Sequence, residues 1–273
     1  MNGPTRADIP YLGPDRAEMM DAYLPPERFA RPCPAVLLIH GGGWCMNDKA
    51  NERERNIGAT LSANGYAVFS INYLLNSREN DAAGRPVSVA WPQNFIDCVS
   101  ALRHIRAHAA EYGIDPQRIG VMGGSAGGHL AMLVGASATV PGMPRGSLHP
   151  EQPVDVRCII TFYGIHDVHG RRANVFAGAS EAETAENVRL ASPSTWFGPA
   201  TPPILIAHGT ADTIVPVENA RALTDVLRHR GVPYWYVEIS GAPHTFHLEP
   251  EQMDLRPLVL SFLARHLGAP AQT

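Results

Sequence analysis

The strongest chemical signal in the chain is a serine enclosed by glycines, Gly123-Gly124-Ser125-Ala126-Gly127-Gly128. It follows the apolar run Arg118–Met122 and precedes a helical run, HLAMLVGA. A chain passing directly from strand to helix turns so sharply that the flanking residues must be nearly without side chains, and the turn lifts the hydroxyl into the open. A serine hydroxyl is a weak nucleophile until a base takes its proton, and the base needs a carboxylate to fix its tautomer. Two later loops offer both groups. His208-Gly209-Thr210-Ala211-Asp212 follows the run ILIA, and Gly241-Ala242-Pro243-His244-Thr245-Phe246 follows YWYVEI. Ser125 is therefore read as nucleophile, His244 as general base and Asp212 as the acid that orients it, with Asp167 the rival acid and His247 the rival base.

Acyl transfer through such a serine places negative charge on an oxygen, which preformed N–H donors must receive. The Ala126 amide opens a helix, where unpaired donors and the dipole favour an anion. The second contribution comes from His40-Gly41-Gly42-Gly43-Trp44, directly after the strand AVLLIH. Gly42 and Gly43 are assigned as oxyanion donors beside Ala126, with Gly41 the alternative to one of them. Trp44 is a candidate for the substrate wall, with plain core as the competing reading. His40 and His208 read as loop braces, and His129 as structural or functional. His104, His108 and His229 fall in helical patterns and read as surface or core positions. His166 and His169 have no carboxylate at ligand spacing, so no metal is expected. The cysteines Cys33, Cys45, Cys98 and Cys158 form no close pair and read as buried free thiols.

These groups need a frame that brings distant loops together. Solidly apolar runs at Ala35–His40, Ala67–Tyr73, Arg118–Met122, Arg157–Tyr163, Ile204–Ala207 and Tyr234–Ile239 predict buried parallel strands, with Met20–Leu24 as an outer one. Helical periodicity marks Pro92–Tyr112, Val217–Arg230 and Asp254–Leu267, with a turn at Asp115-Pro116. The alternation predicts an α/β fold, a mostly parallel twisted sheet with helices on both faces and its chemistry on loops at the carboxyl edge. The stretches 76–90, 139–155 and 166–197 fit no regular element apart from a short helix at Glu181–Leu190. Together with about residues 1–20 they are expected to form lid elements that shape the substrate pocket.

At 273 residues, the chain suits one domain spanning 1–273. Its formal net charge of −4 gives no reason to expect nucleic acid or an anionic membrane as partner, and a small neutral substrate fits better. No stretch is long and apolar enough to span a bilayer, and residues 1–20 lack a secretory core, so a cytoplasmic location is expected.

HGGGW, GGSAGGHLA, HGTADTIVP and GAPHTF, with the helix entrance WPQNFIDCVSALRHIR, resemble the hormone-sensitive-lipase-like branch of the α/β-hydrolases. The likeness is greatest to its bacterial feruloyl/acetyl-xylan esterase-type carboxylesterases, and it extends from about Met20 to the last helix. In that fold the chain order is Ser, acid, His, as here. Many lipase-branch members carry Asp where this chain has Gly124, which places it nearer the GxSAGG esterases. The resemblance implies hydrolysis of a small or aryl carboxylic ester without a cofactor. An arylformamidase-type amide hydrolase, which shares the HGGxW loop, and a non-hydrolytic ligand receptor on the same fold are the alternatives.

Overall fold

The computed structural model describes residues 3–273, the side chains of Arg171 and Arg172 excepted. Met1 and Asn2, the start of the expected lid segment 1–20, lie outside the described residues. In chain order the elements are β1 (Arg6–Ile9), β2 (Met20–Tyr23), β3 (Cys33–Ile39), α1 (Glu52–Ala63), β4 (Ala67–Ile71), α2 (Gln93–Ala107), α3 (Ala109–Tyr112) and β5 (Ile114–Gly124). They continue with α4 (Ala126–Ala136), β6 (Ile159–Phe162), α5 (Glu181–Ala191), β7 (Ile204–Gly209), α6 (Glu218–Arg230), β8 (Tyr234–Ile239) and α7 (Arg256–Leu267). The strands form one sheet in the order β1-β2-β4-β3-β5-β6-β7-β8, with β1 and β2 antiparallel and the rest parallel.

Every residue of β3 is buried, because both faces of the sheet are covered. Ala35, Leu37 and Ile39 pack on one side with Phe95 and Leu102 of α2, Leu130 of α4 and Leu223 of α6. Val36 and Leu38 pack on the other with Ile57 of α1 and Phe262 of α7. Among the described residues no helix is long and apolar enough to cross a membrane.

The structure departs from the sequence reading in several places. Arg6–Ile9 is an edge strand paired with β2, so this part of the segment 1–20 belongs to the sheet. Residues 52–63 form a helix that periodicity does not reveal, since its inward side includes Arg53, Glu54, Asn56 and Gly58. The helix expected over Pro92–Tyr112 breaks at His108. Asp115 does make a turn, accepting the Gln117 amide at 2.9 Å, but as an irregularity inside β5, after which the ladder resumes at Ile119.

The stretch 139–155 also sits elsewhere than expected. Helices that follow parallel strands run back across the sheet, so a segment joining the end of α4 to the start of β6 lies at the amino edge, away from the carboxyl-edge loops. Arg103 and Arg106 of α2 fasten it there. The first donates to the carbonyls of Arg145 (2.9 Å) and Gln152 (3.2 Å), the second to those of Pro153 and Asp155 (both 2.5 Å).

Candidate active site

At the end of β5 the chain must enter α4 without a connecting loop. Ser125 makes the turn at φ 53°, ψ −123°, a region that costs a non-glycine residue on the order of 1–3 kcal/mol. The turn closes on glycine because nothing larger fits. A Cβ on Gly127 would lie 2.1 Å from the Ile39 carbonyl oxygen, and one on Gly123 2.2 Å from that of Gly127. The Ser125 amide donates to the Phe162 carbonyl at 2.9 Å, tying the turn to β6.

The loops after β7 and β8 bring the other two groups to this point. Ser125 Oγ donates to His244 Nε2 at 3.1 Å, and His244 Nδ1 donates to Asp212 Oδ2 at 2.6 Å. Asp212 has no exposed side-chain surface, and its other oxygen, Oδ1, accepts the amides of Ile214 (2.9 Å) and Val215 (2.8 Å). The carboxylate is thus held by its own loop rather than spent as a cap on α6, which begins at Glu218. Buried His208 lies 3.2 Å from Asp212 Oδ2 and donates through Nε2 to the Val215 carbonyl at 2.7 Å. Burial lowers its pKa, so it faces the acid as a neutral ring.

The rivals lie apart from this relay. Asp167 accepts from Nδ1 of its neighbour His169 at 2.5 Å, and His247 Nδ1 accepts the Glu249 amide at 2.9 Å. Buried His129 braces the elbow from beneath: it accepts the Trp44 indole N–H on Nδ1 at 3.1 Å, and its Nε2 meets the Ala191 carbonyl at 2.6 Å. His40 stacks on Tyr73 with ring centroids 4.5 Å apart, and burial lowers its pKa.

Beside Ser125 opens a cavity of about 900 Å³. Gly41, Gly42 and Gly43 edge it on one side and His244 to His247 on the other. Gly42 (φ 114°) and Gly43 (φ 60°) adopt left-handed backbone that glycine accepts freely, while Ala126 is fully buried at the first position of α4. Trp44 contributes to the cavity wall and also packs on Phe176 at 5.3 Å between centroids, so wall and core are the same residue. Cys45 is only partly buried and reaches the cavity, unlike Cys33, Cys98 and Cys158, which are buried free thiols.

The rest of the wall comes from Met46 and residues 51–54, with Tyr163, Ile165, Ile214 and Val215. Among the described residues, none of 76–90, 139–155 or 166–197 contributes to it. The pocket is shaped by the start of the unpredicted helix α1, with 166–197 serving as backing through Phe176.

Arg53, Glu54 and Tyr163 were not singled out in the sequence. Arg53 is buried, pairs with Glu54 at 2.5 Å and donates through Nε to the Phe246 carbonyl at 3.2 Å. Tyr163 donates to the same carbonyl at 3.0 Å, and its ring lies 4.7 Å from that of His244. Burial opposes the Arg53 charge, yet Tyr163 and Glu54 outweigh it and hold the guanidinium pKa above its usual range. Together Arg53 and Tyr163 clamp the loop that carries His244. The signal available was an ERER run close behind the glycine loop, which reads as an ordinary solvated face until it is placed.

The chain is similar to known proteins in sequence and fold. The chain is 30% identical over 254 residues to the probable carboxylic ester hydrolase LipM of Mycobacterium tuberculosis, an alignment covering 88% of this chain and 56% of LipM. It spans little more than half the length of this and the related mycobacterial esterases. A truncated carbohydrate esterase from gut microbiota superposes with a TM-score of 0.82 at 25% identity, covering 97% of this chain and 99% of that one. Thermogutta terrifontis esterase 2, phosphoramylated by tabun, superposes with a TM-score of 0.75 at 26% identity, covering 98% and 96%. The same esterase has also been solved with propionate and with butyrate bound. The BD-FAE family model matches residues 20–227, well over half of the sequence. The chain belongs to the BD-FAE family, hormone-sensitive-lipase-like α/β-hydrolases.

Proposed function

We propose that this protein is a serine carboxylesterase, a single domain that hydrolyses small or aryl carboxylic esters through an acyl-enzyme. The observation that carries the reading is the continuous relay from Ser125 through His244 to Asp212, opening on a cavity. Ser125 Oγ attacks the ester carbonyl while His244 Nε2 takes its proton, and the tetrahedral oxyanion is received by the amides of Gly42, Gly43 and Ala126. His244 then returns the proton to the departing alcohol, leaving the acyl group on Ser125. Water enters with His244 again as base, and the carboxylic acid leaves. Asp212 stays ionised throughout and stabilises the imidazolium.

The apolar parts of the wall, Trp44, Met46, Ile165, Ile214 and Val215, favour a neutral acyl group. A cavity of about 900 Å³ has room for an acetyl or a feruloyl group. Propionate and butyrate bound to the Thermogutta relative support the short end of that range. The test is a series of p-nitrophenyl acetate, propionate and butyrate with methyl ferulate and N-formylkynurenine, on the wild type and on Ser125→Ala. Turnover of the esters, lost in the variant, is expected. Faster turnover of the formamide would move the assignment to amide hydrolysis, and ligand binding with no turnover would move it to a receptor.

A further inference from the structure

At the amino edge of the sheet, away from the carboxyl-edge loops that carry the relay, three imidazoles converge. His104 and His108 occupy positions i and i+4 of the helical run that ends α2, so they share one face. His149 comes from the stretch 139–155. One ring nitrogen from each lies within 4.8 Å of the other two. The rings of His104 and His108 stack at 4.1 Å between centroids, and His149 stands edge-on to both, at 6.0 and 5.6 Å.

We propose that His104, His108 and His149 form a binding site for a borderline divalent cation of the zinc class, which adds a further tie between the 139–155 loop and α2. Three observations support it. Two of the three rings are oriented by a hydrogen bond through one nitrogen, as metal-binding histidines require. His108 Nδ1 donates to the His104 carbonyl at 2.9 Å, leaving its Nε2 lone pair free, and His104 Nε2 meets the Tyr112 hydroxyl at 3.2 Å, leaving Nδ1. Next, the loop that brings His149 is held in place independently of any ion. Arg103, one residue before His104, donates to the carbonyls of Arg145 and Gln152 on either side of His149. Finally, Glu151 lies 3.8 Å from His149 Nδ1, a carboxylate positioned to hold that ring.

Imidazole suits zinc, nickel and cobalt rather than magnesium or calcium. Tetrahedral bonds of about 2.0–2.1 Å set ligand nitrogens about 3.4 Å apart, so the farthest pair need close by no more than about 1.4 Å. The sequence alone gave His104 and His108 a surface or core reading and expected no metal. The third ligand is 41 positions beyond the second, in a loop that was expected over the active site.

The experiment is equilibrium dialysis of the untagged full chain against zinc chloride, with bound zinc counted by elemental mass spectrometry. The Co²⁺ visible spectrum and Tm are followed in parallel. The wild type should bind one ion per chain, show a tetrahedral Co²⁺ band and gain a few degrees in Tm with zinc. His149→Gln, on an exposed loop, and His108→Gln should each weaken binding at least tenfold and abolish the Tm gain, with ester turnover without zinc unchanged. No bound ion in the wild type, or equal binding by wild type and both variants, would overturn the site. Neither result bears on the Ser125 relay.

Discussion

Replacing Asp212 by Asn keeps the shape of the site and changes only which atoms donate, so it isolates what the acid does. Asp212 Oδ1 accepts two backbone amides, at 2.9 and 2.8 Å, and Oδ2 accepts His244 Nδ1–H at 2.6 Å. An asparagine has one acceptor oxygen, and the two amides claim it. Its NH2 group then points at His244 Nδ1 and forces the proton onto Nε2, where it faces the serine and cannot accept the hydroxyl proton. The opposite rotamer restores the tautomer but turns NH2 onto the two amide donors, leaving them unsatisfied at about 1–3 kcal/mol each. At about 1.4 kcal/mol per decade, the productive arrangement is populated roughly 30- to 10⁴-fold less. Adding the lost negative charge beside the imidazolium, kcat for p-nitrophenyl acetate at pH 8 should fall about 10³- to 10⁴-fold, in keeping with the same exchange in another serine triad. Folding should change little, about 1–2 kcal/mol in urea, because the oxygen still serves its loop. A variant that keeps more than a tenth of wild-type kcat would refute the assignment of Asp212 and this account of its hydrogen bonds.

Other perturbations separate chemistry from support. Ser125→Ala should cut turnover about a million-fold with an unchanged circular dichroism spectrum. Gly127→Ala places a Cβ 2.1 Å from the Ile39 oxygen and 2.5 Å from that of His40, both backbone, and should destabilise by at least about 1–3 kcal/mol in chemical unfolding. Arg53→Met removes one of the two donors on the Phe246 carbonyl. It should lower kcat on the order of tenfold with a smaller change in KM, and Arg53→Lys should not restore it, since an ammonium cannot reproduce the guanidinium fork. The pKa values of His40 and His208 are depressed by burial, so the unfolded chain takes up protons that the folded one refuses. That contribution is complete above about pH 6.5 and is lost as pH falls below it, so Tm measured from pH 7 to pH 5 should decline.

How much could be read in the sequence follows from what each element must satisfy. Strands buried on both faces have to be apolar throughout, so β3 to β7 stand out, while the edge strand β8 is apolar although only Ile239 is fully buried, and the three side chains of the proposed relay sit directly behind these strands. α1 was missed because its inner side carries charge: Arg53 and Glu54 neutralise each other there, and neither adds to an apolar stripe. β1 was missed because an exposed edge strand of four residues carries almost no hydrophobic signature. The stretch 139–155 was assigned to the wrong edge because composition marks a loop without telling which end of the sheet it leaves; the return direction of α4 decides that. The histidine cluster was invisible for a related reason, since His149 reaches α2 across 41 positions of sequence, on a loop that the Arg103 side chain holds in place.

The central claim is tested most directly by treating the protein with paraoxon and locating the adduct by peptide mass spectrometry. The account predicts one diethylphosphoryl group per chain on Ser125, ester turnover lost in proportion to its incorporation, and no label at that peptide in Ser125→Ala. Full turnover in protein phosphorylated at Ser125, or inactivation tracking a label on a different residue, would contradict it.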